Sequence, residues 1–196
     1  LTAGTYNVRM RNQGDNTCSA TLNDNVVITQ PQQITALVTK VDVDCFNANN
    51  GRITVTNAQP AGVLFQYSID GGLSWSSSNT FTGLTPGSYN VQIRNASFTS
   101  CVVGLGSTTI IQPTQLSGAV TVQNLTSCDS DPNGRISITN LNGGSGQYEA
   151  SIDGGVNWFN NFNFTNLSSG TYIVRLRDRN APTCIHALGS YNLTAP

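Results

Sequence analysis

One short motif returns at fixed spacing through the chain, and that periodicity limits the possible folds more than any other feature. Leu1-Thr2-Ala3-Gly4-Thr5-Tyr6 recurs as Leu84-Thr85-Pro86-Gly87-Ser88-Tyr89 and as Leu167-Ser168-Ser169-Gly170-Thr171-Tyr172, each copy 83 residues after the last. Asn50-Gly51-Arg52-Ile53 recurs as Asn133-Gly134-Arg135-Ile136, and Ser68-Ile69-Asp70-Gly71-Gly72 as Ser151-Ile152-Asp153-Gly154-Gly155. Trp75 matches Trp158, and Arg11, Arg94 and Arg177 keep the same offset. Gln30-Pro31, Gln112-Pro113 and Ala195-Pro196 mark the ends of successive copies. Proline cannot donate to a strand ladder, so it stops a last strand there. The division expected is residues 1–31 as the C-terminal part of one repeat, then repeats at 32–113 and 114–196. Because the chain opens inside a repeat, residues upstream are expected, and any export signal would lie among them.

Within a copy the pattern is that of strands. Tyr89, Val91 and Ile93 alternate with Asn90, Gln92 and Arg94; Phe65, Tyr67 and Ile69 alternate with Gln66, Ser68 and Asp70. A period of two with one apolar face per strand predicts two stacked antiparallel sheets. The second copy reads as strands near 33–43, 51–57, 64–69, 73–77, 79–83, 88–94 and 107–112. Asp70-Gly71-Gly72 supplies a tight turn, since glycine accepts positive φ. The Leu-x-x-Gly-x-Tyr segment resembles the tyrosine corner of immunoglobulin-like sandwiches. The fold expected is therefore all-β, with tandem immunoglobulin-like β-sandwich repeats of 83 residues. An odd number of strands sends the two ends of a repeat to opposite poles, as a tandem rod requires.

Composition narrows the function. Charged residues make up 10% of the 196 and the formal net charge is −1. Eight arginines and Lys40, spread along the chain, form no basic stripe of the kind nucleic acid requires. No apolar run approaches the length of a membrane-spanning helix. His186 is the sole histidine and Glu149 the sole glutamate, and the preceding copy carries Val103 and Gln66 in their places. Acid–base or nucleophilic catalysis needs a positioned base, so an enzyme is not expected and no cofactor is called for.

Five cysteines obey the repeat: Cys18, Cys101 and Cys184 form one series, Cys45 and Cys128 the other. Paired cysteines in small domains indicate disulfides and an oxidising compartment. The preferred pairing lies within repeats, Cys45–Cys101 and Cys128–Cys184, with Cys18 paired upstream; one alternative joins neighbours, Cys18–Cys45 and Cys101–Cys128, and the other leaves free thiols. Against the preferred pairing, the two cysteine-bearing loops of a seven-strand sandwich sit at opposite ends, beyond disulfide reach. Asp129-Ser130-Asp131-Pro132-Asn133-Gly134 matches the first half of a calcium loop through Asp129, Asp131 and Asn133. The twelfth position is Asn140 rather than Glu, and the preceding copy has Phe46, Ala48 and Asn50, so an Asx-rich turn is the plainer reading. Trp75 and Trp158 are candidate glycan-stacking aromatics, although their place after a tight turn favours packing on the sandwich edge.

The order of these motifs resembles the SprB-type repeats of bacterial gliding-motility adhesins and related giant surface proteins. In this chain they are Cys45, Asn50-Gly51-Arg52-Ile53, Tyr67-Ser68-Ile69-Asp70-Gly71-Gly72, Leu84 to Val91, Cys101 and Gln112-Pro113. The resemblance covers both full copies and the partial one; the last copy departs from it with Ala150 in place of Tyr67. It implies export by the type IX secretion system and attachment at the outer surface. It also implies adhesion during gliding, and the role expected of this segment is a structural stalk that spaces and presents an adhesive tip. Its partners would be neighbouring repeats, and surface polysaccharide or other surface proteins. Two alternatives compete: a carbohydrate-binding or accessory module of a secreted hydrolase, and a calcium-dependent cell-contact array, against which Ala48 at the Asp131 position speaks.

Overall fold

The computed structural model describes residues 1–15, 17–127 and 132–196. Among them every regular element is a β-strand. A hairpin of β1 (Gly4–Arg11) and β2 (Ser19–Ile28) comes first. Six strands follow: β3 (Thr35–Val41), β4 (Gly51–Gln59), β5 (Phe65–Ser68), β6 (Thr80–Leu84), β7 (Gly87–Asn95) and β8 (Val102–Ile110). Six more repeat their order: β9 (Ser117–Gln123), β10 (Gly134–Asn142), β11 (Tyr148–Ser151), β12 (Asn163–Leu167), β13 (Gly170–Asp178) and β14 (Ile185–Leu193). The sheets are antiparallel with orders β3-β4-β6 and β5-β7-β8, then β9-β10-β12 and β11-β13-β14.

The two sheets of each six-strand unit share one core, an arrangement that fits a β-sandwich. Ile53 and Val55 from β4 meet Val91 and Ile93 from β7 and Ile110 from β8, all 1% exposed or less. The second unit buries Ile136, Ile138, Val174 and Leu193 in the same way. Alternation explains this: the residues between them on each strand carry the polar face. Each fully buried aliphatic side chain contributes about 1.5–3 kcal/mol.

Asn-Gly-Arg-Ile recurs for a steric reason. Gly51 pairs with Leu84 across β4 and β6, where an added Cβ would lie 2.8 Å from the Leu84 carbonyl oxygen and 2.9 Å from Ile110 Cγ2. Gly134 meets the Leu167 carbonyl oxygen at 2.7 Å in the same sense. Gly134→Ala is therefore expected to lower stability by about 1–3 kcal/mol, read from the midpoint of urea unfolding. An unchanged midpoint would refute the close approach.

The three recurring tyrosines form one hydrogen bond each to a carbonyl four residues upstream: Tyr6 to Thr2 at 2.6 Å, Tyr89 to Thr85 at 2.8 Å and Tyr172 to Ser168 at 3.0 Å. That is the bond of a tyrosine corner.

The expected strand at 73–77 does not form. Only an isolated bridge joins Ser76 to Tyr67. Gly71 and Gly72 both have positive φ, and Asp70 ties down the Ser74 amide and hydroxyl, so the segment turns in on itself before any ladder can propagate. It still returns the chain along the sandwich, because β5 and β6 run the same way. The ends of the unit consequently lie at opposite poles. Val43 N–H bonds the Ile111 carbonyl, placing the end of β3 beside the end of β8. The β7–β8 turn lies at the far end of β8, since Gly87 pairs with Ile110 and Arg94 with Val102.

Candidate functional site

The most elaborated place in the molecule is the junction where β8 passes through Gln112-Pro113 into β9. On one side, the loop after β3 is pinned to the departing strand. Asp42 accepts from the Ile111 amide at 2.9 Å and from Lys40 Nζ at 2.9 Å, while Lys40 also donates to the Thr109 carbonyl at 2.7 Å. The Ile111 amide first, and then Lys40, hold the Asp42 carboxyl below its ordinary range. Asn47 N–H reaches Gln112 Oε1 at 2.8 Å.

On the other side, the loop between β13 and β14 is organised by Asp178, which is 2% exposed. It accepts from the Ser145 amide at 2.5 Å, the Ser145 hydroxyl at 2.6 Å and the Asn180 amide at 2.8 Å. Burial raises the Asp178 carboxyl, and these donors more than offset it, leaving the group below its ordinary range. Between the two loops Leu116, Leu176 and Cys184 are buried, with Cys45, Leu141 and Tyr148 packed against them.

Across this contact runs a disulfide, Cys45–Cys184, with Cα atoms 5.3 Å apart and a sequence separation of 139. Both residues are among the sequence candidates, but the pairing overturns both expected schemes. Cys45–Cys101, Cys128–Cys184 and Cys18–Cys45 are all displaced, because Cys45 and Cys184 are bound to each other. Cys18 and Cys101 are free and exposed, which also removes Cys101–Cys128; Cys128 itself lies outside the described residues. The reason is the polarity of the unit. Its two cysteine loops stand one strand apart, roughly 30 Å for the nine residues of β8, against a limit near ~7 Å for a disulfide. Each cysteine can be reached only from an adjoining unit. The Asp44 carboxylate and the two sulfurs lie within 4.8 Å of one another. Sulfurs joined to each other offer no thiolate, so this cluster is not a metal site.

No known family model matches this sequence, and no curated protein matches it either.

The remaining candidates sit apart from the junction. One face of each tryptophan is taken by an arginine, from β7 and β13 respectively: Arg94 Cζ lies 4.2 Å from the Trp75 centroid and Arg177 Cζ 4.4 Å from that of Trp158. Arg94 is held by Gln66 at 2.8 Å and Arg177 by Glu149 at 2.7 Å. Trp75 Nε1 also donates to the Gly72 carbonyl at 2.9 Å. Of the calcium candidates, Asp129 and Asp131 lie outside the described residues. The Asn133 oxygen accepts from the Thr126 amide at 3.0 Å, and its amide donates to Ser127 at 2.8 Å. Asn50 braces the matching loop through Asp44. Both asparagines therefore act as turn braces.

The Ser-Ile-Asp-Gly-Gly motif has an electrostatic role. Ser68 and Ser151 are buried, and each hydroxyl donates to the aspartate two residues on, at 2.7 and 2.6 Å. Hydrogen bonds lower both carboxyls far below the ordinary range, Asp70 chiefly through the Ser74 hydroxyl and Asp153 chiefly through the Ser151 hydroxyl. A depressed folded-state pKa gives stability that is fully present above about pH 4 and is lost as pH falls through the folded value. Asp70→Asn with Asp153→Asn should thus lower the Tm at pH 7. The gap to the parent should shrink steadily below pH 4. A gap that does not depend on pH would refute the assignment.

Proposed function

We propose that this chain is a structural stalk segment of a long secreted or cell-surface adhesin, similar to the gliding-motility adhesins, that spaces and presents an adhesive tip. In this reading it is not an enzyme, and its units are immunoglobulin-like repeats. The observation that carries it is the Cys45–Cys184 staple, which bolts the exit pole of one unit to the entry pole of the next. A staple between poles fixes spacing and direction along an array, which is what a spacer needs. The disulfide is also compatible with an oxidising, extracellular compartment. No helix among the described residues is long and apolar enough to cross a membrane.

The carbohydrate-module reading rests on Trp75 and Trp158, and the guanidinium on each ring competes with a sugar for that face. Calorimetric titration of the chain with bacterial surface polysaccharides discriminates the two. The stalk reading expects no heat of binding. Binding abolished by Trp75→Ala and Trp158→Ala would replace it with the carbohydrate reading. Electron microscopy of the whole protein should show a filament whose length grows with repeat number.

A further inference from the structure

We infer that the pole of the β3–β8 unit bearing Cys101 is a docking face for the Cys45-type loop of a further copy of the same unit, closed by a disulfide to Cys101.

Cys101 occupies the same structural place as Cys184. Asn95 N–H bonds the Cys101 carbonyl at 3.2 Å and Cys101 N–H the Phe98 carbonyl at 2.9 Å. In the second unit Asp178 N–H bonds the Cys184 carbonyl at 3.1 Å and Cys184 N–H the Ala181 carbonyl at 2.8 Å. The loop is thus preformed in both units, while the occupancy differs. Cys184 is 8% exposed beneath the neighbouring loop, whereas Cys101 is open to solvent.

Large apolar side chains stand exposed beside Cys101. Phe98 is 66% exposed, Val102 43% and Leu64 77%. Their counterparts at the filled junction are Ala181, Ile185 and Gln147. Apolar side chains gathered around an open thiol mark an interaction surface.

The occupant is identified by continuity with the interface that exists. The loop that covers Cys184 is hydrogen-bonded to the strand leading into β9. The β1–β2 hairpin, which matches β7–β8, leads into β3 through Gln30-Pro31 as β8 leads into β9 through Gln112-Pro113. Val8 and Met10 on that hairpin are 40% and 58% exposed, where the matching Val91 and Ile93 are 1% and 0%. The apolar side of the hairpin is therefore also shaped for the rest of a unit. A unit completed on it would hold its own Cys45-type loop against Cys101.

Bond formation follows thiol–disulfide exchange. The Cys101 thiolate attacks a low-molecular-weight disulfide, forming a mixed disulfide and releasing one small thiol. The thiolate of the incoming cysteine then attacks the Cys101 sulfur and releases the second. The small disulfide takes up the two electrons, and each protein thiol gives up one proton. This inference holds for any tandem array of these units, so it can fail while the stalk reading stands, and the reverse.

The test is peptide mapping of the whole protein isolated from the cells that make it, with free thiols alkylated and no reductant. The expected result is the Cys101 peptide joined to a Cys-x-x-x-x-Asn-Gly peptide from a copy of the repeat other than the two described. Recovery of Cys101 in alkylated form, as a mixed disulfide with a small thiol, or joined to Cys18 or Cys128 would overturn the inference.

Discussion

Pulled from its two ends, the oxidised chain should yield about 200 Å of contour length, against roughly 690 Å after reduction, at ~3.5 Å per extended residue. Tension enters along the backbone, leaves it at Cys45, crosses the disulfide and rejoins it at Cys184. The disulfide bypasses residues 46–183, which leaves 58 of the 196 to carry load. Strands β4 to β8 and β9 to β13 lie inside the bypassed loop, so the cores built on Ile53, Ile93, Ile136 and Val174 are shielded. Single-molecule force–extension with handles at residues 1 and 196, with and without reductant, reads this directly. Equal contour lengths in the two conditions would mean that the staple is absent.

Removal of the staple should also cost stability and end-to-end order. A cross-link enclosing a loop of this length restricts the unfolded chain by about 5 kcal/mol on the chain-entropy model, and measured losses for native disulfides run at about 2–5 kcal/mol. Cys45→Ser together with Cys184→Ser avoids leaving a new thiol at the junction. Its guanidinium unfolding midpoint is expected to fall by an amount equivalent to a loss in that range. Cys101→Ser removes a free thiol and should leave the midpoint unchanged. Small-angle scattering should meanwhile show a broader distribution of end-to-end distances for the double variant, because the covalent link between the two poles is then gone. If Cys101→Ser proved the more damaging change, the assignment of the bridge would be wrong.

Most of the fold was legible in the sequence because its causes are local. Alternation places Val91 and Ile93 inward, Asp70-Gly71-Gly72 forces the turn, and Tyr89 closes its corner over four residues. The missing strand at 73–77 was less legible: Leu73, Ser74 and Trp75 alternate well enough, but the clamp of Asp70 on Ser74 competes with pairing. The disulfide was hidden for a different reason. Repeat arithmetic treats each copy as self-sufficient, whereas Cys45 and Cys184 meet only because the units dock pole to pole. The objection that both cysteine loops lie at opposite ends of one sandwich held the missing signal. Pursued one step further, it forces the partner of Cys45 into the following unit. Asp178 could not be singled out at all, since Asn95 stands in its place in the preceding copy.

Everything proposed for this chain depends on a covalent link between units rather than within them. Non-reduced peptide mapping of the 196-residue chain tests that most directly. A single disulfide-linked species carrying Cys45 and Cys184, with Cys18 and Cys101 alkylated, is the predicted result. A peptide joining Cys45 to Cys101 would contradict it.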